Sequence, residues 1–65
     1  MNALRIMGQG ETVARKLFDD LRAGRLPRIG RDEIEHACDE HLPGLNPHDR
    51  ELLVTTVVRR VVEMA

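Results

Sequence analysis

The sequence predicts an all-α chain, a small three-helix bundle with a short N-terminal arm. Three observations lead there. Apolar residues recur at helical spacing in three separate stretches. Glycine and proline punctuate the chain between them, in "GRLPRIG" at 24–30 and "PGLNP" at 43–47. The last stretch opens on Asn46 and Pro47, a capping residue followed by the proline favoured at the first helical position.

Residues 1–10, "MNALRIMGQG", read as a flexible arm. Leu4, Met7 and Ala14 would suit one long first helix, but Gly8 and Gly10 would each weaken it by about 1 kcal/mol relative to alanine. The arm is expected to dock through Leu4, Ile6 and Met7, leaving residues 11–65 as the single folded domain.

The first helix is expected from Glu11 to Ala23, with Val13, Ala14, Leu17, Phe18 and Leu21 forming one apolar stripe. Gly24 suits the left-handed residue after a helix end, and Arg22 favours the last carbonyls. Pro27 keeps the connection non-helical, while Leu26 and Ile29 pin it to the core. The second helix spans Arg31 to Leu42. Asp32, Glu33 and Glu35 complement its positive end, and its apolar face is narrow: Ile34, Ala37, Cys38 and Leu42.

The third helix carries the broadest face. Leu53, Val54, Val57, Val58, Val61, Val62 and Met64 cover about half the circumference at 100° per residue, with Leu52 outside that arc. The run "VTTVVRRVV" has high β-propensity. A period of two, however, puts valines and arginines on both faces, so no half-buried strand is described. The expected core is Val13, Leu17, Phe18, Leu21, Leu26, Ile29, Ile34, Cys38, Leu42, Leu53, Val54, Val57, Val58 and Val61.

With 65 residues, the chain is short enough for its stability to be marginal without disulfide, metal, idealised packing or partner. Cys38 is the only cysteine, which excludes an internal disulfide and fits a reducing compartment. No signal-peptide pattern follows Met1, and no apolar run reaches the roughly 20 residues of a membrane span, so a complete, cytoplasmic chain with no membrane contact is expected. A net charge of −1 argues against a general nucleic-acid binder, and with Phe18 the only aromatic there is no stacking platform for single strands.

The most conspicuous pattern is four arginines three residues apart, Arg22, Arg25, Arg28 and Arg31, uninterrupted by any acid. The glycines and Pro27 prevent a continuous helix there, so they form a basic patch on a loop and two helix ends. Such a patch is the solvated shell of a connection, paired with Asp32, Glu33 and Glu35, or it steers an acidic partner, or it contacts phosphates. The two helices over 31–62 also invite a helix-turn-helix reading. Against it, the tip of the second helix of that pair is His48, Asp49, Arg50 and Glu51, whose acids would repel a phosphate backbone.

"HACDEH" offers His36, Cys38 and His41 as metal ligands. Cys38 and His36 lie about 200° apart on a helix, so no face collects three ligands, and no metal or other cofactor is expected. Cys38 belongs to the core face, "GQGE" lacks the lysine of a phosphate-binding loop, and so short a chain leaves little room for a water-excluding pocket. Neither catalysis nor a small-molecule substrate is expected. The leading expectation is a non-enzymatic interaction module, binding itself or another protein through Leu52, Val58 and Val62 on the third helix, with Arg22, Arg25, Arg28 and Arg31 as a steering patch. The alternative is a small DNA-associated regulator that uses the arginine loop.

Overall fold

The computed structural model describes residues 2–65. Three helices follow one another: α1, Ala3–Arg22; α2, Arg31–His41; and α3, Pro47–Met64. The described residues outside them form turns, caps and irregular connections with no strand, so the all-α three-helix bundle stands. Gly10 of α1 meets Thr56 and Val57 of α3, and Glu11 meets Arg60, so these two helices run in the same direction. Between them in sequence, α2 returns the other way, bringing His41 to Gln9 near the start of α1.

The N-terminal arm is the main correction. Residues 3–10 are not a loose segment but the first two turns of α1. Asn2 caps that helix by accepting the Arg5 amide at 2.9 Å, and Ile6 is fully buried against the core. Gly10 explains why its helix-weakening character does not decide the matter. A Cβ built there would stand 2.6 Å from Thr56 Cγ2, so the missing side chain is what allows α1 and α3 to touch. Packing gained along the whole helix outweighs a propensity penalty of about 1 kcal/mol per glycine.

The remaining boundaries follow their chemistry. α1 ends at Arg22, and Gly24 takes the left-handed conformation at φ +79°. The turn is held by Asp20, whose carbonyl accepts both the Arg25 and Leu26 amides. At the start of α2, Gly30 has no side chain to cap with, but Glu33 reaches back to accept its amide at 2.8 Å. α2 stops at His41, one residue short of expectation, with Leu42 as the cap. α3 begins as expected, its Asn46 side chain accepting the Asp49 amide at 2.8 Å. The threonine-rich stretch is accommodated inside the helix because Thr56 Oγ1 donates to the Leu52 carbonyl.

The buried core comprises Ile6, Val13, Ala14, Leu17, Ile34, Cys38, Leu53, Val54 and Val57. Leu26, Ile29, Leu42, Val58 and Val61 are half-buried against it, a looser placement than full core. Phe18 and Leu21 do not join the cluster and stay half-buried. With Ile6 and Gly10 included, the buried stripe of α1 is centred nearer its N-terminus, so these two residues fall at the periphery of the core.

Candidate functional site

The arginine patch is largely neutralised by its own surroundings. Arg22 pairs with Asp19 at 2.7 Å, Arg25 with Asp20 at 2.7 Å, and Arg31 with Glu35 at 3.1 Å and Glu51 at 3.7 Å. Arg25, followed by Lys16, holds the Asp20 carboxyl below the usual carboxylate range. Of the three acids expected as partners, only Glu35 takes part; the others are supplied by the last turn of α1 and by α3. Among the described residues Arg28 makes no ion pair. The four side chains thus share a region but do not converge on one point.

Other charges join the helices. Arg50 on α3 donates to both carboxylate oxygens of Asp39, at 2.7 and 3.0 Å, and to Glu35 at 3.2 Å. That fork raises the Arg50 pKa and lowers that of Asp39, keeping both charged. It also ties the tip of α3, where a DNA-reading helix would present free side chains, to α2. Arg60 similarly joins α3 to Glu11 of α1.

The α3 residues expected to bind a partner divide. Val62 is 69 % exposed, whereas Leu52 and Val58 lean on the core. The ligand candidates in "HACDEH" take separate surroundings: His36 pairs with Glu40, His41 meets Gln9, and Cys38 is buried. Among the described residues no three such groups converge. Burial pushes the Cys38 thiol up to about 11, and the Asp39 and Glu35 carboxylates push in the same direction against Arg50. A thiol reagent at pH 8 should therefore modify the native chain roughly a hundredfold more slowly than the urea-unfolded one, since thiolate falls tenfold per pH unit. Equal rates would place Cys38 outside the core.

A feature the sequence reading missed lies between α1 and α2. A groove of about 580 Å³ opens there, with Val13, Leu17, Leu26 and Ala37 providing its apolar lining. Lys16 and Asp20 stand on the α1 side; Asp32, Glu33, His36 and Glu40 stand on the α2 side. Its origin is the narrow apolar face of α2. Where α1 offers Val13 and Leu17, α2 answers with the single methyl of Ala37, and the helices part. The signal was present in that mismatch, but uncovered apolar surface was expected on α3. Neither protein-family models, nor curated proteins, nor solved structures give a match to this chain.

Proposed function

We propose that the chain is a small non-enzymatic protein-interaction module that receives its partner in the groove between α1 and α2. One observation carries this reading: a groove of about 580 Å³ stays open between α1 and α2, where Leu26 and Ala37 are only half-buried over the buried Val13 and Leu17. Uncovered apolar surface of this kind is what partner binding uses. Cys38, reduced and buried, suits a cytoplasmic setting, and no described helix is long and apolar enough to cross a membrane. Self-association through α3 has narrower support, because Val62 alone of Leu52, Val58 and Val62 is exposed. A duplex-DNA contact has less again, since Arg22, Arg25 and Arg31 each already face a carboxylate.

Ala37→Gln tests the reading. It puts an uncharged amide on the groove floor at a half-exposed helical position, so the fold should persist by circular dichroism. A partner covering that amide would leave it unpaired, at about 1–3 kcal/mol, and affinity should fall about fivefold to more than a hundredfold. In affinity capture from the native host, a protein held by the wild type should be lost from the variant. Equal retention, or capture by neither, counts against the groove.

A further inference from the structure

The rim of the groove says more about the partner than the floor does. Four carboxylates line it, from Asp20, Asp32, Glu33 and Glu40, against one lysine, Lys16, and two histidines, His36 and His41. That lysine is already engaged, with Nζ 3.1 Å from Asp20 Oδ2. Asp20 also receives Arg25, so the α1 wall is close to balanced. The α2 wall is not: Asp32 and Glu40 meet no lysine or arginine among the described residues, with only His36 beside Glu40, while Glu33 accepts the Gly30 amide. An apolar floor with one acidic wall favours an occupant that is apolar on one side and cationic on the flank.

Resting on the interaction-module reading, we infer that the partner is a basic amphipathic helix, a segment with apolar residues at i, i+3, i+4 and i+7 and lysine or arginine beside them. Dimensions agree with this. α2 has 11 residues and, at about 1.5 Å per residue, offers a wall of about 16 Å, the length of a three-turn helix. Lysine and arginine suit the position for a second reason. Their aliphatic stems lie along an apolar floor while their charged ends reach the rim, so one side chain satisfies both surfaces. The bound segment would act as a fourth helix, covering Leu26 and Ala37 and neutralising the α2 wall.

The test uses the full chain, ¹⁵N-labelled, and two synthetic peptides of about 14 residues (roughly four helical turns). Both carry the same leucine and alanine face; one has lysine at the flanking positions and the other glutamate. The lysine peptide should shift the amides of Val13, Leu17 and Ala37 and bind on the order of tenfold more tightly than the glutamate peptide. The double variant Asp32→Asn, Glu40→Gln alters two exposed rim side chains and should remove most of that preference without changing the circular dichroism. Added salt should do the same for the wild type. Equal binding of the two peptides would overturn the basic-helix inference and leave the groove as an interaction site. The same division holds if neither peptide binds while Ala37→Gln still abolishes capture from the host. Shifts outside the groove would also overturn it, as would shifts that grow with protein concentration alone, because the occupant would then be a second copy of this chain.

Discussion

Ile6→Ala should remove about 3 kcal/mol from the unfolding free energy, read as a lower urea midpoint at an unchanged slope. Ile6 is fully buried in the cluster that includes Leu53, Val54 and Val57. Truncating it deletes buried methyl groups and leaves a cavity the surrounding helices close only in part. For a chain of this size total stability is about 3–10 kcal/mol, so the variant loses between about a third and all of it. Leu4→Ala is the internal control. Leu4 lies two residues away on the same helix but is 81 % exposed, and its loss should change stability by less than about 0.5 kcal/mol. A flexible arm predicts small and similar effects at both positions. An Ile6→Ala change below about 1 kcal/mol would mean the first turns of α1 are not part of the cooperative core.

Local signals located most of the architecture. The Asn46-Pro47 start of α3, the left-handed Gly24 after α1 and the acidic first turn of α2 are each decided within a few residues, and the chain obeys them. What local rules missed depends on distant partners. Gly8 and Gly10 argue against a helix only when their neighbours in sequence are considered; Gly10 argues for one once Thr56 lies against it, 46 positions further on. The groove was hidden for a related reason. Ala37 reads as an ordinary member of an apolar face until Val13 and Leu17 are known to stand opposite it. The arginine spacing was plain in the sequence, but its neutralisation by Asp19, Asp20, Glu35 and Glu51 required two helix ends and α3 to be brought together.

Gly10→Val should be as damaging as the loss of Ile6, about 3 kcal/mol, although on an isolated helix it would be neutral or favourable. The cause is the distance from the built Cβ to Thr56, 2.6 Å to Cγ2 and 3.1 Å to Cβ. Thr56 is poorly able to yield. It is branched at Cβ and therefore stiff at χ1, and its hydroxyl donates to the Leu52 carbonyl at 2.7 Å. The alternative is for α1 to lift from α3, which would open the packing of Ile6 and Val13 and lengthen the Glu11–Arg60 pair. Gly10→Ala separates these effects. Its propensity gain of about 1 kcal/mol opposes an overpacking cost of about 1–3 kcal/mol, so a net loss is expected in the wild-type background. Thr56→Ser removes Cγ2 while keeping the hydroxyl. In that background Gly10→Ala should become neutral or stabilising, giving a coupling of about 1 kcal/mol or more in a double-mutant cycle. If Gly10→Ala stabilises the wild type and the two substitutions are additive, the close crossing of α1 and α3 at this point is wrong. Gly10 would then be an ordinary helix-weakening glycine, tolerated rather than required.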